Sequence, residues 1–313
     1  AVVGSNGKPG KPIIEARLCA TFIQPLLRLS TSELVYTYVY EEGVPTETQT
    51  DNVNLTNVSS LPLTLALRCT RPFTVGVTEL QLEPKASKTV PVMFDPSYNG
   101  DRHSRTYENK LSISYREHPQ KDSLVLHGET CFPNVDFDMN VGDFGCALNN
   151  STRTLTLNIT NPSRVVAYYQ WSFATDAFEP RDAIKCFDIL PIRGCLQPGE
   201  SEVIELLYKG STNMKCRAMA LCNVKGGPEY ELPLLAESSA ISYKLDRNLL
   251  DFGLQEYDRV EEKEITIANT GRVELNFQVK LTKLSRTNVI EIAPMAGLIA
   301  PDAKQKLIVR FLP

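Results

Sequence analysis

The chain has 313 residues, 42% apolar and 22% charged, an ordinary balance for packed domains that excludes general disorder. A formal charge of −4 excludes a mainly nucleic-acid-binding surface, and three histidines leave little room for His-based catalysis or metal chemistry. No stretch approaches the ~20 apolar residues of a membrane-spanning helix, and at roughly 100–200 residues per domain the length allows two or three domains.

Residues 1–12 lack both the charged start and the apolar run of a signal peptide. Lys8-Pro9-Gly10-Lys11-Pro12 reads as a loop, and residues 12–21 read as the last strand of a preceding unit. The chain starts on Ala1 and its last residues, Leu307-Ile308-Val309-Arg310-Phe311, read as a strand, so the expectation is a window of a longer protein.

A repeat of about 105 residues organises the rest. Asn54-Leu55-Thr56-Asn57, Asn158-Ile159-Thr160-Asn161 and Ile267-Ala268-Asn269-Thr270 look alike, with Asn57 and Asn161 104 positions apart and Asn161 and Asn269 108 apart. Each ends an alternating stretch: Val53 and Leu55; Leu155, Leu157 and Ile159; Ile265 and Ile267. Period-two alternation predicts a strand with one face buried, and the Asn starts a turn. Six to twelve residues further on lie Leu63, Leu65, Leu67 and Cys69, then Ala167, Tyr169, Trp171 and Phe173, then Leu275, Phe277, Val279 and Leu281. A Pro turn follows in each unit, at Pro84, Pro198 and Pro301. Behind it come Val90, Val92 and Phe94, then Ile204, Leu206 and Tyr208, then Leu307, Val309 and Phe311. At the joints, Gly142-Asp143-Phe144-Gly145 matches Leu250-Asp251-Phe252-Gly253, while the first unit carries Phe22-Ile23-Gln24-Pro25 and then residues 31–43 without a Phe-Gly.

Short strands at this spacing, with no sustained helical period, predict an all-β chain of tandem β-sandwiches. The expected division is 1–21 as tail strand plus linker, 22–131 as sandwich 1, 132–239 as sandwich 2, and 240–313 as sandwich 3, C-terminally incomplete because it stops before its final strand pair. The short joints predict a semi-rigid array.

The tract from Phe-Gly through the Asn-terminated strand, the apolar strand, the Pro turn and the ending Phe94-Asp95-Pro96, repeated as Phe311-Leu312-Pro313, resembles the ASH/MSP/PapD-like immunoglobulin-type domain. Tandem arrays of such domains, tightly joined, are similar to the Hydin-like axonemal proteins of motile cilia. The resemblance covers nearly the whole chain, and its specificity lies in three copies in order. It implies a non-enzymatic structural or scaffold component of the cytoskeleton. The implied location is the axoneme of the cilium or flagellum, at the central apparatus along its microtubules, with a role in cilium motility. The implied partners are other axonemal proteins, with tubulin as a further candidate, within a large assembly, and no nucleic acid or membrane.

Other chemistry has blander readings. The eight cysteines, Cys19, Cys69, Cys131, Cys146, Cys186, Cys195, Cys216 and Cys222, show no pair that repeats between units and no C-x-x-C, so free thiols are expected rather than disulfides or zinc. Asn54, Asn57, Asn149, Asn150 and Asn158 sit in Asn-x-Ser/Thr triplets, but the matching Asn161 does not, so a turn role explains more than a glycan. His103 falls in a loop, His118 in a hairpin turn and His127 at the close of the next strand, so they do not converge. Trp171 holds the core slot of Leu67 and Val279. Glu261-Glu262-Lys263-Glu264 reads as a solvated strand start, and Lys280, Lys283 and Arg286 as a mixed solvated face that is also open to a partner. No catalytic, cofactor-binding or metal-binding residue is assigned, and no cofactor. The competing reading is a secreted or periplasmic adhesion or chaperone-type array whose sheet edges capture partner strands.

Overall fold

The computed structural model describes residues 17–174, 185–281 and 289–313, and every ordered element among them is a β-strand. Residues 12–16 of the expected tail strand lie outside the described residues, and its remainder, residues 17–21, forms no strand. The alternating runs pack as two-sheet layers, each around its own apolar cluster.

The first set of strands is β1 (Leu27–Leu29), β2 (Glu33–Val39), β3 (Gln49–Asn57), β4 (Leu63–Arg68), β5 (Phe73–Val75), β6 (Glu79–Leu82), β7 (Ser87–Phe94), β8 (Arg105–Tyr115) and β9 (His118–Cys131). They form one sheet in the order β1-β3-β7-β5 and another in the order β2-β9-β8-β4-β6. The chain therefore changes sheets between β1 and β2. Val53, Leu55, Val90 and Val92 on one sheet face Leu65, Leu67, Leu111, Ile113, Leu124 and Leu126 on the other.

The second set is β10 (Asp136–Phe137), β11 (Gly142–Leu148), β12 (Thr152–Thr160), β13 (Ala167–Phe173), β14 (Phe187–Leu190), β15 (Arg193–Leu196), β16 (Ser201–Lys209), β17 (Lys215–Val224) and β18 (Glu229–Ser239). Its sheets, β10-β12-β16-β14 and β11-β18-β17-β13-β15, repeat the first topology strand for strand. After β10 pairs antiparallel with β12, the chain crosses over and β11 pairs parallel with β18. The crossover turns on Asp143-Phe144-Gly145. The Asp143 carboxylate accepts from the Gly145 N–H at 2.8 Å, and Gly145 takes φ +62°, a left-handed conformation that glycine adopts without penalty. The β11–β18 register slips there, between Asp143 and Cys146.

The third set is β19 (Tyr243–Leu245), β20 (Glu261–Asn269), β21 (Leu275–Gln278), β22 (Ile290–Ala293), β23 (Ala296–Ile299) and β24 (Lys304–Phe311). The sheet β19-β20-β24-β22 matches β10-β12-β16-β14, and the two-stranded sheet β21-β23 matches β13-β15. Counterparts of β11, β17 and β18 do not occur among the described residues.

By compactness the chain forms two units. One holds residues up to Gly100 together with Arg105–Thr130, and the other holds Asp101–Ser104 with Cys131–Pro313. The second unit thus contains the second and third sets of strands.

Candidate functional site

Two side-chain constellations recur in the strand sets, and both are structural. The first is built on the asparagine that ends the second long strand. In the second set the Asn161 side chain is fully buried. Its Nδ2 donates to the carbonyls of Val165 at 2.8 Å and Leu196 at 2.9 Å, and its Oδ1 accepts from the Ser163 N–H and hydroxyl. Asn57 does the same toward Leu61, Leu82 and Glu83, accepting from Ser59. Asn269 donates to Val273, Ile299 and Ala300 and accepts from the Gly271 N–H. An amide supplies two donors and an acceptor, so it closes the local turn and also reaches a carbonyl on the opposite sheet. Asp could not donate there, and Ala would leave buried carbonyls unpaired. The turn was visible in the sequence; the bond to the other sheet, 25 to 35 residues away, was not.

The second constellation is aromatic. Phe144, Phe187 and Tyr208 pack with ring centroids 5.3–5.7 Å apart. Tyr36, Phe73 and Phe94 pack likewise at 5.2–5.9 Å. Tyr36 therefore fills the place of the Phe-Gly phenylalanine that the first unit lacks, and its hydroxyl donates to the Val92 carbonyl at 2.9 Å. Sequence reading missed it because a Tyr in an alternating strand looks like any core residue. The available signal was Phe94, whose matches Tyr208 and Phe311 each stack on a partner from the Phe-Gly segment. Among the described residues of the third set, Phe252 and Phe311 stack at 5.3 Å, and Ile290 stands in the register position of Phe187.

The chemical candidates disperse. No disulfide joins any of the eight cysteines in this structure, and Cys131, Cys216 and Cys222 are buried. Burial pushes the Cys222 thiol up to about 12, the opposite of what a reactive thiol needs. Among the described residues no group of three or more His, Cys, Asp or Glu could hold a metal ion. His103 sits beside Asp101, and His118 accepts from the Gln120 N–H. The hairpin turn is tighter than the sequence suggested: β9 restarts at His118, which pairs with Tyr115, and His127 lies inside β9 rather than at its close. A short loop lets the two long strands continue their ladder almost to the tip.

Trp171 is buried in the core and stacked on Phe137 at 5.5 Å, with its indole N–H unpaired among the described residues. Asn57 is too buried to carry a glycan. Asn54 accepts from the Thr89 hydroxyl, and Asn150 takes the left-handed φ of a turn. Lys263 of the acidic strand start lies over the Phe252 ring at 5.1 Å. Lys280 is exposed, while Lys283 and Arg286 lie outside the described residues. No helix among the described residues is long and apolar enough to cross a membrane.

Buried tyrosine hydroxyls complete the polar interior. Burial, then the Glu202 carboxylate at 2.7 Å, pushes the Tyr169 phenol well above its usual range. Tyr115 is raised in the same way, by burial and then by Asp122. Burial pushes Tyr208 up to about 12. These groups are donors locked in a core, not acids poised to react.

What the fold and these constellations define is an all-β array of tandem immunoglobulin-like sandwiches. The chain is similar over its whole length to Hydrocephalus-inducing protein (Hydin) of Mus musculus, with 27% identity over 433 aligned residues, and to its Homo sapiens homologue at 27% over 440. It spans 8% and 9% of the length of these two relatives. Among solved structures it is similar to an ASH/PapD-like domain of human CEP192, at 13% identity over 34% of this chain and 85% of that one, with a TM-score of 0.30. No family model matches the chain.

Proposed function

We propose that this chain is a non-enzymatic structural segment of the motile-cilium axoneme, part of the central apparatus, that spaces and holds microtubule-associated partners. The reading is carried by the whole-length similarity to Hydrocephalus-inducing protein, together with two strand sets that share one topology and a third that repeats part of it. Supporting it, the conspicuous polar side chains of the interior serve packing: Asn57, Asn161 and Asn269 tie sheet to sheet, and Tyr169, Tyr208, Cys216 and Cys222 are buried in the core. Each sandwich carries its own core, and exposed sheet edges offer backbone donors and acceptors to partner strands. The partners are other axonemal proteins, with tubulin as a further candidate.

Cross-linking this segment in intact cilia and identifying its neighbours tests the proposal. Axonemal neighbours are the expected outcome; a set made up of secretory or cell-surface proteins overturns it. Thiol titration under denaturing conditions without reductant separates the competing secreted array. About eight reactive thiols are expected here, whereas a secreted disulfide-bonded array would show almost none.

A further inference from the structure

We infer that the outer face of the β17–β18 hairpin is a docking surface for a second copy of this chain, packed with its strands reversed. The first observation is a residue pattern. Ala218-Met219-Ala220-Leu221-Cys222 and Leu232-Pro233-Leu234-Leu235-Ala236 are unbroken apolar runs, the pattern of strands covered on both faces. The core of the second sandwich takes only alternate residues of each run. Ala218, Ala220, Leu232 and Leu234 are buried in it, and Met219, Leu221, Pro233 and Leu235 point the other way, half-buried. The register sets Met219 opposite Pro233, with Leu221 on one side of that row and Leu235 on the other, so the four form one strip.

The first sandwich shows that the fold does not require this strip. Trp171 pairs with Cys222 and its match Leu67 with Ile113, so Lys110 and Ser112 of β8 hold the places of Met219 and Leu221. On the neighbouring strand, Leu124 pairs with Leu111 as Leu232 pairs with Ala220, which puts His127 in the place of Leu235. There the strands alternate and the outer side is polar. Either pattern closes a sandwich, so the outer apolar residues of β17 and β18 exceed what their own core needs.

Charge selects the occupant. At one end of the strip lie the exposed Lys215 and Arg217. Glu237 beside them is 3.8 Å from the Lys215 ammonium and accepts from Arg272, and Asp143, in register with Leu235, accepts from the Gly145 N–H. At the other end lie the exposed Glu229 and Glu231, with Lys225 past them in the turn. The strip thus has excess cation at one end and excess carboxylate at the other. A two-fold axis lying in the interface along the Met219–Pro233 row reverses strand direction. It lays strip on strip and brings Arg217 of each copy to Glu231 of the other, two ion pairs from one operation. A two-fold axis parallel to the strands would instead oppose like charges.

Sedimentation equilibrium of the 313-residue chain tests this directly. A monomer–dimer equilibrium at micromolar concentration is expected, and a monomer throughout that range overturns the proposal. Met219→Lys with Leu221→Ser copies the residues that the first sandwich carries, and should abolish the dimer with far-ultraviolet circular dichroism unchanged. A dimer that persists in this folded variant overturns the assignment of the face. Arg217→Glu and Glu231→Arg alter exposed side chains, so they decide the matter even if the apolar variant fails to fold. Each alone should weaken the dimer roughly tenfold, and the two together should restore it, because the exchanged charges meet again. Failure of the double variant to recover overturns the reversed-strand arrangement.

Discussion

Residues 132–239 and 240–313 use the same strand order and the same anchors, yet they bury their cores differently. Ile159, Ile204, Leu206 and Tyr208 are fully buried in the second sandwich, while their matches Ile267, Leu307 and Val309 keep 4–8% exposure and Phe311 is half-buried. The side chains are comparable in size and apolarity. The second sandwich has a five-stranded sheet over this layer, and the third has two strands among the described residues. A β-sandwich strand therefore draws its stability from the opposite sheet more than from its own residues.

The largest effect that would sharpen this comparison is at the paired core slots. Trp171→Ala should cost roughly 3–5 kcal/mol, the usual range for a buried large aromatic. Val279→Ala in the matching slot should cost about 1 kcal/mol, because a half-buried valine has less to lose. Urea unfolding with probes in each sandwich would read both. Equal costs would erase the distinction between the closed and the open core.

The asparagine anchors come next. Asn161→Ala leaves two carbonyls that had an amide donor, one of them buried, and should cost roughly 2–4 kcal/mol. Asn269→Ala removes the same kind of bonds, two of them buried, so its cost should be similar. Asn→Asp at either site should not rescue, since a carboxylate cannot donate; recovery by Asp would show that only the local turn matters.

Overpacking probes the aromatic cluster of the first sandwich. A Cβ at Gly128 would stand 2.5 Å from the Phe94 ring and 3.0 Å from Phe73. Gly128→Ala should therefore destabilise residues 27–131 by roughly 1–3 kcal/mol, and Gly128→Ala with Phe94→Leu should recover part of it. A neutral single substitution would mean that the cluster is loosely packed.

Alkaline titration separates the second and third sandwiches without mutation. In the second, Tyr208 and Cys222 are both raised to about 12 by burial, from ordinary values near 10 and 9. Their neutral forms are favoured when folded. The stability they contribute is complete below pH ~9 and is lost as pH rises toward 12. The third sandwich buries no tyrosine and has no cysteine, so it should lose less stability over the same window. Far-ultraviolet circular dichroism and tyrosinate absorbance, followed together, would read this.

The smallest effect is at the link between these two sandwiches. The Arg272 guanidinium donates to the Glu237 carboxylate, which also lies 3.8 Å from the Lys215 ammonium. Arg272 is largely exposed, so Arg272→Ala should change stability by about 0–1 kcal/mol, less at high salt. A larger loss would mean that the ion pair orders more than itself.

Much of this fold could be read from residue types alone. Alternation at 53–55, 155–159 and 265–267 marked the long strands, because a strand with one dry face must repeat every second residue. Asn57, Asn161 and Asn269 marked their ends, and the Pro turns marked the return. Asp-Phe-Gly carries its own bend: an Asx turn and a left-handed glycine need only neighbours in sequence, and both survive at residues 251–253 with no strand to pair with. What only the tertiary structure decided involves partners distant in sequence. Tyr36 became the stand-in for Phe144 because Phe94 and Phe73 meet it there. Residues 142–148 became a strand because β18 offers an edge, whereas residues 250–256 meet none among the described residues and form a bent loop. Turns are closed by bonds within a few residues, so local sequence specifies them. Strands are closed by bonds to another strand, so the presence or absence of that strand decides whether the same residues are buried core or bare surface.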